Sequence, residues 1–127
     1  MADTVKGTCI DKRGFTYMVE GTTPHAEKYD DEGNSKLSFT TDVPGVPTAI
    51  AVDAQGKIYI AGYTAGDTTG RFVIFDDEGN LKKTVTPTLL ASPTGIFVDE
   101  RNYIYVSTPT AIYKFDDEGV EIAHFAT

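Results

Sequence analysis

The sequence Phe75-Asp76-Asp77-Glu78-Gly79 decides the fold, because the chain of 127 residues contains it three times in nearly the same form. The other copies are Tyr29-Asp30-Asp31-Glu32-Gly33 and Phe115-Asp116-Asp117-Glu118-Gly119, and their glycines are 46 and 40 residues apart. Repeats of that period are typical of proteins built from stacked identical units. Because each copy lies between two β-prone runs, it predicts a hairpin turn with Gly at the positive-φ position.

A second repeated block precedes each acidic turn. In the middle copy it consists of the apolar run Ala49–Val52, the turn Asp53–Gly56 and the alternating run Lys57–Ala61, which predicts strand, tight turn, strand. The first strands are almost entirely apolar, so we expect them to be buried on both faces. A third strand is predicted before each acidic turn and a more polar fourth strand after it. Four strands per period and no helical stretch predict an all-β protein made of propeller blades.

The whole chain is therefore expected to be one unit, residues 1–127, with blades at about 5–42, 47–88 and 93–127. The connections between blades have one length, whereas the loop between the second and third strands varies from blade to blade. A constant framework that carries one variable loop family predicts that function lies on the rim formed by those loops.

The repeat resembles the NHL-repeat family of β-propellers. The resemblance rests on the entry Pro93–Asp99, the Asp-x-x-Gly turn, the run Ile58-Tyr59-Ile60 and the Phe-Asp-x-x-Gly turn, and Val46–Gly79 is the most similar copy. It implies a propeller, commonly of about six blades, that serves as a platform for protein or RNA. Relatives with similar blades include lyases and metal-dependent hydrolases.

Three blades are fewer than such propellers contain, so both terminal faces of the row would expose apolar surface. Two copies joined head to tail would close a six-bladed ring, and we expect a homo-oligomer of this kind, a closed homodimer. The alternative is that the chain is a fragment or an engineered building block of a longer propeller.

Composition limits the partners. The net charge of −8 and the pI of about 4.5 argue against nucleic acid as a partner, since affinity for it comes mainly from Lys and Arg. No apolar run is long enough for a membrane span, so no membrane partner is expected. The N-terminus does not resemble a signal peptide, and Cys9 is the single cysteine, which together predict a cytoplasmic protein.

The candidate site residues are few. We interpret the acidic turns and Asp11, Asp53 and Asp99 as turn-forming residues, and therefore expect no metal and no cofactor. The longest variable loop offers Tyr63, Asp67 and Arg71, and another offers His25, all as candidates for binding a small polar ligand or a partner protein's peptide.

The sequence does not predict a catalytic centre. His25 and His124 are expected in different blades, and Cys9 is expected to be a small buried hydrophobic side chain. We therefore predict a non-catalytic binding or scaffold propeller that assembles from partial-propeller subunits. The first alternative is a propeller lyase or hydrolase with its site at the central channel, and the second is a fragment or engineered building block without a ligand.

Overall fold

The computed structural model describes residues 5–21, 25–40, 46–63, 69–86 and 92–126, and the regular structure in these residues is β-strand. The strands are β1 (Val5–Ile10), β2 (Thr16–Glu20), β3 (His25–Tyr29), β4 (Ser35–Thr40), β5 (Val46–Val52), β6 (Ile58–Tyr63), β7 (Gly70–Phe75), β8 (Leu81–Val85), β9 (Gly95–Val98), β10 (Ile104–Ser107), β11 (Ala111–Phe115) and β12 (Glu121–Ala126). None of the described residues forms a helix long and apolar enough to cross a membrane.

The strands form three four-stranded antiparallel sheets, each made of four strands that are consecutive in the chain. Sheet 1 is β1–β4, sheet 2 is β5–β8 and sheet 3 is β9–β12. Within every sheet each strand pairs with the one that precedes it, as short hairpin connections require. The predicted all-β architecture with four strands per repeat is confirmed.

The acidic turns have the conformation that their sequence predicts. In the first one the amide of Gly33 donates to the carbonyl of Asp30 at 3.1 Å, and the amide of Asp30 donates to the carbonyl of Asn34 at 3.0 Å. Gly33 has a φ of 85°, as have Gly79 and Gly119. This is a three-residue hairpin loop that ends in a left-handed residue, a conformation for which Gly is favoured because it has no Cβ.

Neighbouring sheets pack face to face. We call the face of each sheet that is turned toward the preceding sheet its front, and the opposite face its back. The front of sheet 2 packs against the back of sheet 1 in a cluster that includes Tyr17, Val19, Ala26, Ile58, Ile60, Val73 and Phe75. The back of sheet 2 packs against the front of sheet 3 in a second cluster that includes Tyr59, Ala61, Phe72, Ile74, Ile104, Val106, Tyr113 and Phe115. Alternate residues of β6 and β7 therefore enter different clusters, as the two-residue period of a strand requires.

Burial differs from the expectation for the first strands. The prediction of burial on both faces fits β5, but it is wrong for β1 and β9, where Ile10 is 67% exposed and Phe97 is 63% exposed. The physical reason is position, since sheets 1 and 3 are the two ends of the row. Among the described residues no sheet covers the front of sheet 1 or the back of sheet 3.

Candidate functional site

A cavity of about 170 Å³ lies where the first strands of the three sheets end. Each sheet contributes three consecutive residues to it, an aliphatic side chain, a turn-starting Asp and the residue that follows: Ile10, Asp11, Lys12, Val52, Asp53, Ala54, Val98, Asp99 and Glu100. All three sheets line this one concave surface, so it is a natural candidate for a ligand site.

The three aspartates of this cavity are engaged in holding their own turns. Asp53 Oδ1 accepts hydrogen bonds from the amides of Gln55 and Lys57, both at 2.9 Å, and Oδ2 accepts one from the Tyr59 hydroxyl at 2.8 Å. The corresponding tyrosines, Tyr17 and Tyr105, donate to Asp11 and Asp99 at 2.9 and 3.0 Å. The interpretation of these aspartates as turn-forming residues is confirmed.

The pKa values of Asp11 and Tyr59 move in the directions that such hydrogen bonds dictate. Burial raises the pKa of Asp11, but the hydrogen bonds from the Tyr17 hydroxyl and from the amides of Phe15 and Arg13 outweigh burial, so the net pKa is lowered. Burial, and next the hydrogen bond to Asp53, raises the pKa of Tyr59 far above its ordinary value. A carboxylate held ionised by its own turn is a poor proton acceptor, so Asp11 is suited to stabilise its turn rather than to act as a general base.

The acidic turns are organised in the same way. The first Asp of each accepts two backbone hydrogen bonds, and in two turns an Asn side chain as well: Asp30 from Glu32 and Asn34, Asp76 from Glu78 and Asn80, and Asp116 from Glu118 and Val120. Their carboxylates point into the turn, whereas a calcium loop directs several oxygens at one centre. Among the described residues no three acidic, His or Cys side chains are grouped closely enough to hold a metal ion.

A polar cluster lies on the front of sheet 1. His25 Nδ1 is 3.3 Å from an oxygen of Glu20, whose side chain is fully buried, and His25 Nε2 is 3.0 Å from an oxygen of Glu27. The Ser35 hydroxyl donates to the other oxygen of Glu27 at 3.1 Å. Burial raises the pKa of Glu27, but the hydrogen bonds from His25, Ser35 and Tyr29 outweigh it and the net pKa is lowered. An imidazole between two carboxylates is suited to hold a proton or to present a polar surface to a partner.

The structure places three of the four predicted site residues, His25, Tyr63 and Arg71, in strands rather than in loops, and it does not bring Tyr63 and Arg71 together. Tyr63 ends β6 and pairs with Gly70, while Arg71 pairs with Gly62, so the two side chains leave sheet 2 on opposite faces. Asp67 lies outside the described residues. His25 and Arg71 occupy equivalent places, four residues before Tyr29 and Phe75 in β3 and β7. The histidines lie in different sheets, His25 in β3 and His124 in β12, as predicted.

Sequence reasoning missed the two glutamates that flank His25. Glu27 shares a strand face with His25 because it is two residues further along β3, and Glu20 is the residue that pairs with His25 across β2 and β3. The spacing Glu-x4-His-x-Glu around a short loop carries this signal. It becomes visible only when the register of the hairpin is known.

Cys9 is a half-buried thiol on the back of sheet 1. It packs against the cluster between sheets 1 and 2, which fits the predicted hydrophobic role. Burial, together with the negative charge of Asp11, raises the pKa of Cys9 to about 12. The thiol is therefore protonated at neutral pH and is a poor nucleophile.

The back of sheet 3 is an apolar face that no other sheet covers in the part of the chain that the structure describes. Phe97, Ile112 and Phe125 are 63%, 46% and 57% exposed on it. An open groove of about 290 Å³ on this face is lined by Phe97 and Ile112, together with Gly95, Tyr105 and Ser107. Equivalent residues of sheet 2, such as Ala51, Tyr59 and Phe72, are buried against sheet 3. The back of sheet 3 thus has the composition of a packing surface but no covering sheet among the described residues.

The chain is similar to proteins of known structure in its fold but not in its sequence. No protein-family model matches it, and no curated protein sequence does. Over 98% of the chain it superposes on a structure of a nidogen/laminin complex with a TM-score of 0.80 and 19% identity. Over 97% it superposes on virginiamycin B lyase from Staphylococcus aureus with a TM-score of 0.74 and 13% identity. A gluconolactonase from Xanthomonas campestris gives a TM-score of 0.73 and 16% identity over 98% of the chain.

The fold is that of a β-propeller. Each of the three sheets is a propeller blade, and in this fold the first strands line the central channel. The cavity at Asp11, Asp53 and Asp99 therefore lies where these first strands end, on the side that forms one mouth of the channel in a complete propeller, and His25 and Arg71 lie toward the opposite rim. The chain spans less than half the length of the matched proteins, 48% for nidogen/laminin and the gluconolactonase and 41% for the lyase.

Proposed function

We propose that this chain is a binding or scaffold propeller that completes its ring by associating with a second subunit. The observation that carries the proposal is the back of sheet 3, an apolar blade face with Phe97, Ile112 and Phe125 exposed. The matched propellers are about twice as long as this chain, which supports the inference that further blades complete the ring. The repeated turns Asp-x-x-Gly and Phe-Asp-x-x-Gly support assignment of the blades to the NHL type.

Hydroxyl-radical footprinting across a dilution series tests the association directly. We expect Phe97 and Phe125 to be oxidised less at high protein concentration than at low concentration, because the second subunit covers them. Val120 is exposed to a similar extent but lies in the turn between β11 and β12, so it serves as an internal control. Equal oxidation of all three side chains at every concentration would contradict the proposal.

The contact surface for a further ligand is, in this proposal, the rim that carries the variable loops. It includes His25 with its two glutamates, Tyr63 at the end of β6, Arg71 near the start of β7, and Asp67 between them in the sequence. A peptide array probed with the wild-type chain, with Tyr63→Ala and with His25→Ala tests this surface. Peptides that the wild type binds and either variant does not would support the rim as the contact surface. Binding that both variants retain would contradict this assignment.

A second candidate function is catalysis at the central channel, as a lyase or hydrolase. It is favoured by the polar cluster of His25, Glu20 and Glu27, which supplies an imidazole held by carboxylates. The similar structures include a virginiamycin B lyase and a gluconolactonase. Assays of virginiamycin B cleavage and gluconolactone hydrolysis, each with and without a chelator, test it. Turnover that His25→Ala abolishes would favour the enzyme, and no turnover of either compound would favour the scaffold.

A further inference from the structure

One contact between blades occurs twice in the chain. At the first boundary the ring of Phe39, on the back of sheet 1, lies 3.0 to 3.3 Å from the position that a Cβ on Gly79 would occupy. The same ring is 4.7 Å from the ring of Phe75, centroid to centroid. The turn glycine of sheet 2 and the aromatic residue that begins that turn thus form the seat for a side chain of the preceding blade.

The second boundary repeats this arrangement. Val85 occupies the place in β8 that Phe39 occupies in β4, and its Cγ2 lies 2.5 Å from the position of a Cβ on Gly119. Phe115, which begins the turn of Gly119, packs edge-on against Phe72 at 4.9 Å. Any side chain at Gly119 would therefore collide with the preceding blade.

The third pair of partners is present in the chain, and both members are uncovered. Phe125 pairs with Ile112 as Phe39 pairs with Ala26 and Val85 with Phe72, so it is the third member of that series. Its side chain is 57% exposed. Gly33 is the third turn glycine, and no atom lies within 4 Å of the position of its Cβ. Tyr29 stands where Phe75 and Phe115 stand in the other turns.

We propose that the back of sheet 3 binds the front of sheet 1 of a second copy of this chain, with Phe125 seated on Gly33 and Tyr29 of that copy. This inference rests on the proposed self-association and specifies its geometry. Because the contact joins two different faces, two copies form two identical seams, and six blades close the ring. A back-to-back dimer would instead oppose two Phe125 side chains and leave both Gly33 seats empty.

The seam differs in polarity from the boundaries within the chain. The front of sheet 1 carries Glu20, His25 and Glu27 where the front of sheet 2 carries Gly62, Arg71 and Val73. The back of sheet 3 carries Lys114 at the place of Ile74. Because Glu20 is fully buried, Glu27 is the carboxylate of this face that is complementary in charge to Lys114. The lower apolar content of the seam allows the subunits to separate without unfolding.

Complementation between two variants tests this geometry. Phe97→Asp places a charge on the back of sheet 3, and Ile10→Asp places one on the front of sheet 1. Both side chains are more than 60% exposed, so each variant is expected to fold. Val120→Asn is the control, because it removes a similarly exposed side chain from a turn and introduces the residue found at the equivalent positions 34 and 80. Each protein, and a 1:1 mixture of the two Asp variants, is measured by light scattering after size-exclusion chromatography.

We expect the wild type and Val120→Asn to be dimers, and each Asp variant alone to be a monomer. The mixture regains the dimer mass with weaker affinity than the wild type, because one seam is intact and the other carries both charges. If Ile10→Asp stays dimeric, or if the mixture of the two variants stays monomeric, the seam is wrong while the self-association of the wild type stands. A wild type that is monomeric at every concentration overturns the self-association itself.

Discussion

The Tyr59 hydroxyl donates a 2.8 Å hydrogen bond to Asp53, a carboxylate that starts the turn six residues earlier. Both side chains are buried, and the same pair recurs as Tyr17 with Asp11 and as Tyr105 with Asp99. The pair ties the second strand of each blade to the turn at the channel mouth. It explains why an aromatic residue that reaches back to a turn is repeated in all three blades.

Replacing Tyr59 by Phe is expected to lower the free energy of unfolding by about 1.5 to 3 kcal/mol, the usual cost of losing a hydrogen bond to a charged group. The matched variant Tyr105→Phe should cost less, because Tyr105 and Asp99 are only half-buried and water can replace the lost donor. Urea unfolding followed by circular dichroism measures both. Equal losses in the two variants would show that burial does not determine the strength of the pair.

The acidic turns predict a loss of stability in acid. The backbone amide of Asn80 holds the pKa of Asp76 below its usual value, helped by the Asn80 side chain, the amide of Glu78 and Lys82. The pKa values of Asp11, Asp30 and Asp99 are lowered as well. Because the unfolded chain binds these protons more readily, their contribution is present above the unfolded pKa near 4 and is lost as pH falls through the folded values.

Thermal unfolding between pH 6 and pH 2 measures this effect. The variant Asp76→Asn keeps an oxygen that accepts the turn amides but removes the titrating group. We expect its melting temperature to fall less steeply with acidification than that of the wild type. Parallel curves for the two proteins would contradict the role assigned to the charge of Asp76.

Cys9 is expected to react slowly with iodoacetamide in the folded protein. A pKa of about 12 leaves roughly 10³-fold less thiolate at pH 8 than the ordinary cysteine pKa does. Since Cys9 is the single cysteine, mass spectrometry reports its alkylation without ambiguity. Unfolding in urea should restore the ordinary rate of alkylation. Rapid alkylation of the folded chain would show that burial does not keep the Cys9 thiol protonated.

The turn glycines are expected to differ in their tolerance of a methyl group. In Gly119→Ala the new methyl group sits on a residue with positive φ and also collides with Val85. In Gly33→Ala the φ is equally positive, but no atom lies near the methyl group. We therefore expect Gly119→Ala to lower the free energy of unfolding of the subunit by about 1 to 3 kcal/mol more than Gly33→Ala does. Urea unfolding at concentrations below the dimer range measures the difference. Similar losses in the two variants would mean that the contact between Val85 and Gly119 is loose.

Gly33→Ala is also expected to weaken the dimer, an effect that unfolding measurements on the subunit do not test. Its methyl group would occupy the seat of Phe125 of the second copy, so the dissociation constant of the dimer should rise. Sedimentation equilibrium of the variant against the wild type measures the change. An unchanged constant would show that the seam does not use Gly33.

The repeat in the sequence was sufficient to predict the fold. Asp-Asp-Glu-Gly and Asp-x-x-Gly are local signals, because the carboxylate and the glycine act within five residues, and the structure forms both turns as predicted. Asn102, with a φ of 65°, takes the glycine position in the equivalent turn of the third blade, Asp99–Asn102. Burial of the first strands was predicted less well, because it depends on whether a neighbouring sheet is present rather than on the strand.

The candidate site was less predictable, for physical reasons. The cluster of His25 with Glu20 and Glu27 depends on the pairing register of β2 and β3, which a sequence pattern does not specify to a single residue. Tyr63 and Arg71 are eight positions apart, and the sequence predicts them in one loop. The pairing register of β6 and β7 instead places their side chains on opposite faces of the blade. Asp67 lies outside the described residues, so its role stays a prediction.

The mass of the wild-type chain in solution tests the central claim most directly. It is measured by light scattering on a size-exclusion column across a dilution series. We predict twice the mass of the chain, a dimer of six blades that dissociates to folded monomer on dilution. A folded monomer at all concentrations would contradict ring completion by self-association, and a stable trimer would contradict the six-bladed ring.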